Sequence, residues 1–267
     1  MHRKERPESL TFFADRTPGR ADNVECLRNI DYTFEIGGLQ CPNMMSKLSG
    51  AASRLTPEGG HASIDKIHDK AASLIHGLEL SGGTVLDYGS GVGNFTRRLI
   101  DLGTFDAIFG VDIKAQPPVL TSVDWLQTDL NQQLPVAGEY FDCLVSLEVI
   151  EHLENPRATV RDWFRVLKPG GVAIFSTPNN ESWQSVLVLL TKGHFKHFVG
   201  NVNYWYPGGH ITALLRMDIE RILAEVGFVS VSIEYIASTT LKRYLPFVRS
   251  DTRRTASHLI VCARRPP

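Results

Sequence analysis

The sequence predicts an α/β fold, a largely parallel sheet covered by helices on both faces. Three observations lead there. Short apolar runs alternate with stretches of helical period from about residue 63 onward. A glycine-rich turn, Gly89-Ser90-Gly91-Val92-Gly93, joins the first such run to a helix. Acidic residues, Asp112 and Asp129 among them, stand where later runs end. In such sheets ligands bind beyond the carboxyl ends of the strands, near the point where strand order reverses.

Residues 1–62 are broken by Pro7, Pro18, Pro42 and Pro57 and by Gly37-Gly38 and Gly59-Gly60. They read as an irregular arm or lid, and residues 63–267 as the main domain. Order begins near Ser63, where Ile64, Ile67, Ala71, Leu74 and Ile75 share one helical face. Gly82-Gly83 leads into a strand, Thr84–Tyr88, and a helix follows over Asn94–Leu102. Further strands are Ala107–Asp112, Val123–Gln127 and Phe141–Leu147. Asn155-Pro156 is an N-cap followed by proline at the first helical position. That helix buries Val160, Trp163, Phe164 and Leu167 and stops at Lys168-Pro169-Gly170-Gly171, ahead of a strand over Val172–Ser176. After an insertion at 178–212, Ile219, Ile222, Leu223 and Val226 mark a helix closed by Gly227. The last strands are Val229–Ile236 and His258–Ala263.

With 267 residues and 43% hydrophobic content, the chain can bury one sizeable core. A net charge of -1 does not indicate a polyanion partner, so nucleic acid is not expected. Cys26, Cys41, Cys143 and Cys262 are scattered without a close pair, and the last two lie in apolar runs as small buried hydrophobes. This suits a reducing, cytoplasmic setting. The charged start, Met1 to Arg6, has no apolar stretch behind it, so no signal peptide is expected. The longest apolar run, Val186 to Leu190, is too short to span a bilayer. Oligomeric state is not encoded legibly.

The segment Val85 to Asn94 carries the first chemistry. Glycines let the backbone approach a ligand and turn sharply into a helix. Such a loop serves NAD, FAD or S-adenosylmethionine, or is only a tight turn. The dinucleotide fingerprint has Gly or Ala at its sixth position, where this chain has Asn94. Asp87, just before the first glycine, suits an ammonium-bearing ligand better than a pyrophosphate. Asp112 could accept ribose hydroxyls, or be an ordinary strand-end acid. Asp129 could accept an adenine amino group, or lie on the surface, and Leu147 could pack on the adenine.

Taken together, VLDYGSGVGNF, GVDI, QTDL, FDCLVSLEVIEHL and LKPGG resemble the class I S-adenosylmethionine-dependent methyltransferases over about residues 63 to 265. EVIEHLENP and FSTPN are similar to the group holding the ubiquinone-biosynthesis O-methyltransferases and many bacterial enzymes of unassigned substrate. The resemblance implies a Rossmann-like seven-stranded sheet with the last strand antiparallel. It implies S-adenosylmethionine as cofactor and a small-molecule acceptor. The cofactor contacts expected are Asp87, Gly89, Ser90, Gly91, Gly93, Asn94, Phe95, Asp112, Ile113, Asp129, Leu130 and Leu147. A basic residue near the N-terminus often holds the cofactor carboxylate in this group, and none is assignable here.

Glu148, Glu151 and His152 sit at i, i+3 and i+4, on one face if a helix starts there. Two carboxylates and an imidazole suit Mg, Mn, Fe or Zn, and His210 could complete the set. The pattern resembles the Glu-x-x-Glu-His…His site of small-RNA 2′-O-methyltransferases. The other reading is a metal-free acceptor site in which His152, then His210, is the base, with Glu148 as a further catalytic candidate. The expected reaction is O-methylation of a small molecule. The alternatives are metal-assisted RNA 2′-O-methylation, a non-catalytic cofactor-binding module, and an NAD-dependent dehydrogenase.

The insertion carries Trp183, Phe195, Phe198, Tyr204, Trp205 and Tyr206 beside Lys192, His194, Lys196 and His197. The plain expectation is a helix packed on the sheet edge through Val186, Leu189 and Leu190, and the sharper one an acceptor lid, with a lipid-surface patch, a dimer contact or a nucleic-acid contact as the other readings. Arg243, Arg249, Arg253 and Arg254 read as a solvated face or, more sharply, as partners for a phosphate or carboxylate on the acceptor.

Overall fold

The computed structural model describes residues 58–78, 80, 82–198, 209–237, 247 and 249–267. The first helix, α1, is Glu58–Gly77 and is followed by β1 (Thr84–Tyr88), α2 (Asn94–Leu102), β2 (Ala107–Asp112), β3 (Asp124–Gln127) and β4 (Phe141–Leu147). A single 3-10 turn, Ile150–His152, precedes α3 (Pro156–Val166) and β5 (Leu167–Pro178). Then come α4 (Trp183–Lys192), α5 (Arg216–Val226), β6 (Val229–Ile236) and β7 (His258–Arg264).

The seven strands form one sheet in the order β3-β2-β1-β4-β5-β7-β6. Pairs from β3 to β5 are parallel, while β7 runs antiparallel to both β5 and β6. This is the expected architecture. All five residues of β1 are buried, as a strand covered on both faces requires. On one face, Val85, Cys143, Val145 and Ile174 pack under Ile67, Ala71 and Ile75 of α1 and Phe95 and Leu99 of α2. On the other, Trp163 of α3 meets Tyr88 and Phe175, at centroid separations of 5.5 and 5.3 Å. The order reverses between β1 and β4, and that is where a ligand cleft is due.

Asn155 caps α3 as predicted, its side chain accepting the Ala158 N–H at 3.0 Å with Pro156 next in line. Asn155→Ala is expected to cost about 1 kcal/mol, measured by urea unfolding, with cofactor binding unchanged.

Four local readings are corrected. Helix α3 ends at Val166, and Leu167 to Gly171 belong to β5 instead of forming a helix stop. The residue before a proline avoids helical backbone, so Lys168 is extended and the strand begins early. Pairing jumps from Phe141–Leu167 to Cys143–Val172, so residues 168–171 form a bulge. The bulge is pinned by Lys168 Nζ on Asp142, at 2.7 Å. Second, α1 starts at Glu58, ahead of Ser63, with Gly59 and Gly60 in the first turn, where fewer helical bonds are at stake. Third, Val123 is buried just ahead of β3 rather than paired within it.

Fourth, α4 is docked only in part by the apolar residues expected. Leu189 is half-buried, but Val186 is exposed and Leu190 is 79% exposed, and Ser185 is the buried residue of the helix. Polar bonds add to the hold. Ser182 caps it, Ser185 Oγ accepts the Lys196 N–H at 3.1 Å, and the Trp183 N–H donates to the Arg254 carbonyl at 2.9 Å. Arg249 pairs with Asp251 and Arg253 with Glu181 at the surface. Cys143 and Cys262 are free thiols, Cys143 fully buried. Cys26, Cys41, residues 1–57, Tyr204 to Tyr206 and Arg243 lie outside the described residues. No helix among the described residues is long and apolar enough to cross a membrane.

Candidate active site

A cleft of about 240 Å³ opens where β1, β2 and β4 end. Of the residues read from the sequence as cofactor contacts, Asp87, Gly89, Ser90, Gly91, Asn94, Phe95 and Leu147 line it. The loop after β1 is shaped by left-handed backbone at Gly89, Gly91 and Gly93. A Cβ on Gly91 would meet nothing within 4 Å, so its bare backbone faces open space. Ser90 does not face that space with its hydroxyl, which donates to the Asp87 carbonyl at 2.7 Å and braces the turn.

Asp87 is buried, with one carboxylate oxygen accepting the Thr96 hydroxyl at 2.5 Å. Burial pushes its pKa up to about 7, against that hydrogen bond. A cationic ligand group beside it would restore full ionisation. Thr96→Val removes the opposing donor. It is expected to raise the Asp87 pKa further and to weaken S-adenosylmethionine binding at pH 7 more than at pH 8.5, as calorimetry at the two pH values would show.

The remaining predicted contacts are placed differently. Asp112 gives one oxygen to the Gly91 N–H at 2.7 Å and the other to the Lys114 N–H at 2.9 Å. It therefore shapes the loop, while each oxygen keeps a second lone pair for a ligand hydroxyl. Gly93 is buried against Leu120, and Ile113 is exposed. Asp129 is exposed and accepts the Asn131 N–H at 2.9 Å. Leu130 lines a separate cavity beside α3, and its carbonyl accepts the Tyr88 hydroxyl.

Ile64, His68, Val92 and Lys114 also line the cleft and were not anticipated. The His68 ring packs at a tilt against Phe95, centroids 5.2 Å apart, and burial lowers its pKa. Its signal was available, because it lies on the α1 face of Ile64, Ala71 and Ile75.

Past Leu147 the chain turns through Glu148, a non-glycine residue with φ of +58°. The Glu148 N–H donates to Ser176 Oγ at 3.0 Å, and the Ser176 hydroxyl donates to Glu148 Oε1 at 2.8 Å. Glu148 Oε2 lies 3.3 Å from His258 Nε2. Glu148 is thus turned toward the sheet. Glu151 and His152 follow on the 3-10 turn, not on an α-helix.

Residues 209–212 dock on that turn. The Ile211 and Thr212 N–H groups both donate to the Glu151 carbonyl, and the Thr212 hydroxyl donates to the Leu153 carbonyl at 2.7 Å. His210 is thereby brought 4.6 Å from His152, ring to ring, and 3.9 Å from Glu151 Oε1. Ligating atoms of Glu151, His152 and His210 lie within 4.8 Å of one another, and Glu148 is not part of this group. Three of the four expected metal ligands therefore converge. His152 Nδ1 is 3.0 Å from the Gly209 carbonyl, so Nδ1 carries the proton and Nε2 keeps the lone pair.

Glu151 is fully buried, and neither carboxylate oxygen has a hydrogen-bond partner among the described residues. Burial, then the Glu148 charge, pushes its pKa well above the usual carboxylate range. Burial also raises Glu148 to about 7 and lowers His210 and His258 to about 4. A raised carboxylate adds stability below its ordinary pKa and loses it as pH rises to the folded value. Glu148→Gln removes that decline. Its stability relative to wild type is therefore expected to rise between pH 4.5 and 7, as chemical unfolding across that window would show.

A doubly covered sheet with this strand order, a glycine-shaped cleft at the switch point and an acidic strand-end residue in that cleft fit an S-adenosylmethionine-dependent methyltransferase. Residues 62–233 match the family model described as a methyltransferase domain, and the chain belongs to that family. A ubiquinone biosynthesis O-methyltransferase of Idiomarina loihiensis is 30% identical over 185 residues, 63% of this chain and 70% of that protein. One from Pseudomonas fluorescens is 30% identical over 145 residues, and the chain spans 60% of its length. Among solved structures, a methyltransferase from Thermotoga maritima shares the fold at a TM-score of 0.55 and 15% identity, covering 83% of this chain and 97% of that one. One from Mesorhizobium loti does so at 0.52 and 20%, covering 74% and 100%. The dehydrogenase reading of the glycine loop drops out.

Proposed function

We propose that this enzyme methylates a hydroxyl of a small-molecule acceptor, and that Glu151, His152 and His210 hold a divalent cation at the acceptor side. The observation that carries the reading is the buried Glu151 carboxylate with two partnerless oxygens. Ionising such a group without a partner costs several kcal/mol, which a cation beside it offsets. A carboxylate with two imidazoles is a donor set for Mg, Mn, Fe or Zn. His210 Nδ1 is likewise buried without a partner.

S-adenosylmethionine supplies a methyl on a sulfonium that leaves readily, so the protein's work is alignment and proton control. When bound, a divalent cation lowers the pKa of a coordinated hydroxyl and offsets its developing charge. The cleft residues hold the donor. Leu147 links that cleft to the Glu148–His152 segment, so donor and acceptor sides meet at the end of β4. The Gly209 carbonyl orients the His152 ring through Nδ1, a role outer partners of metal-bound histidines commonly take. The same tautomer supports a second reading, in which Nε2 of His152 accepts the hydroxyl proton directly.

The relatives' named activity supports a hydroxyl acceptor, and quinone precursors carry ring hydroxyls. The net charge of -1 disfavours RNA. The test is a labelled-methyl assay across a catechol (3,4-dihydroxybenzoate), an amine and a short RNA. Label on the catechol oxygen is expected. Label on the amine or the RNA, with the catechol untouched, would overturn the reading.

A further inference from the structure

Glu148 is conspicuous for being satisfied where Glu151 is not. Both of its oxygens are engaged, one by Ser176 of β5 and one by His258 of β7. The register explains how. His258 pairs with Pro178 and Ile260 with Ser176, so Ser176 and His258 project from the same sheet face. His258 is buried, and its Nδ1 lies 3.0 Å from Ser257 Oγ. A carboxylate oxygen can only accept, so the 3.3 Å contact with Glu148 assigns the proton to Nε2 and leaves Nδ1 to accept the Ser257 hydroxyl, on an imidazole that burial keeps neutral. The backbone at Glu148 is left-handed, a conformation that costs a non-glycine residue about 1–2 kcal/mol and persists only where its surroundings hold it. Three hydrogen bonds to Ser176, from the Glu148 N–H to Oγ and to the carbonyl and from Oγ to Oε1, supply that hold together with His258.

We propose that His258 is a positioning residue. With Ser176 it clamps the Glu148 carboxylate and so locks the left-handed turn from which Glu151 and His152 are presented to the acceptor. On this account Glu148 is an anchor, not a ligand or a base. The last strand of the sheet, antiparallel and threaded between β5 and β6, reaches the Glu148 turn through His258. The inference rests on the reading of Glu151 and His152 as the acceptor wall. The clamp itself does not need the acceptor to be a catechol.

The test compares wild type, His258→Ala, His258→Gln and Ser176→Ala, each bound to S-adenosylhomocysteine. Long-range proton–nitrogen NMR reports the histidine tautomers, and steady-state assays with 3,4-dihydroxybenzoate report kcat and KM. In wild type, His258 is expected as the Nε2–H form and His152 as the Nδ1–H form. His258→Ala and Ser176→Ala should each move the His152 ring signals and lower kcat by at least about tenfold, the usual effect of losing an outer partner. KM for S-adenosylmethionine should stay within about twofold. His258→Gln, whose amide N–H can meet the same carboxylate, should restore both readouts to within about threefold.

Unmoved His152 signals in His258→Ala would overturn the proposal. So would a His258→Gln variant as impaired as His258→Ala, since bulk alone would then explain the site. If wild type ignores the catechol while the ring signals respond as stated, the clamp stands and the acceptor assignment fails. Should His258→Ala not fold, Ser176→Ala and His258→Gln still decide it, because the clamp requires a His152 shift in the first and none in the second.

Discussion

Glu151→Gln is expected to lower methyl transfer by about 10²–10³-fold while S-adenosylhomocysteine binds as in wild type. The physical basis is a carboxylate that is fully buried, with no hydrogen-bond partner for either oxygen among the described residues. A neutral amide of the same shape cannot balance a cation there. The substitution should also leave the protein as stable as wild type, or up to about 1 kcal/mol more stable, because the cost of ionising a buried carboxyl is removed. Activity and stability thus move in opposite directions, the mark of a site kept at a cost to the fold. Steady-state kinetics, calorimetry with S-adenosylhomocysteine and thermal melts measure the three quantities. A Glu151→Gln variant with wild-type turnover would remove Glu151 from the chemistry.

Gly89→Ala is expected to damage both walls of the site at once. The residue has φ of +83°, where an alanine costs about 1–2 kcal/mol. Its Cβ would also come to 2.3 Å from Val149 Cγ2. Val149 caps the 3-10 turn that carries Glu151 and His152, so the clash is passed from the cofactor loop to the acceptor wall. A loss of about 3 kcal/mol in unfolding free energy follows from strain plus overpacking. Cofactor affinity should fall at least tenfold. Gly103→Ala is the matched control. It also has left-handed backbone, with φ of +61°, but its Cβ would meet nothing within 4 Å. It should cost about 1–2 kcal/mol and leave cofactor binding alone.

Local chemistry was legible in the sequence where a short segment determined its own structure. The glycine loop, Asp87 before it and Leu147 at the end of β4 could be placed because strand, turn and helix follow within a few residues of one another. Asn155-Pro156 announced its helix for the same reason. Lys168 to Gly171 misled, because two glycines after a helix look like a cap, whereas the proline and the pairing of Leu167 with Phe141 draw the segment into the sheet. Helix α4 misled because apolar spacing predicts a face without saying that the face will be covered. The Glu-x-x-Glu-His spacing marked the segment on which Glu151 and His152 stand. It could not show that the left-handed backbone of Glu148 turns its carboxylate toward β5 and β7 and away from the others. His258 carried no local signal at all. Only the antiparallel insertion of β7 beside β5 brings it to Glu148. His197, whose ring lies 5.5 Å from that of His258, is hidden for the same reason.

The most direct test of the account is O-methylation of 3,4-dihydroxybenzoate followed through chelation and metal return. EDTA is expected to reduce the rate at least tenfold without changing S-adenosylhomocysteine affinity, and added Mg²⁺ or Mn²⁺ to restore it. Turnover that is indifferent to chelation would contradict a cation held by Glu151, His152 and His210, and would leave His152 as the base.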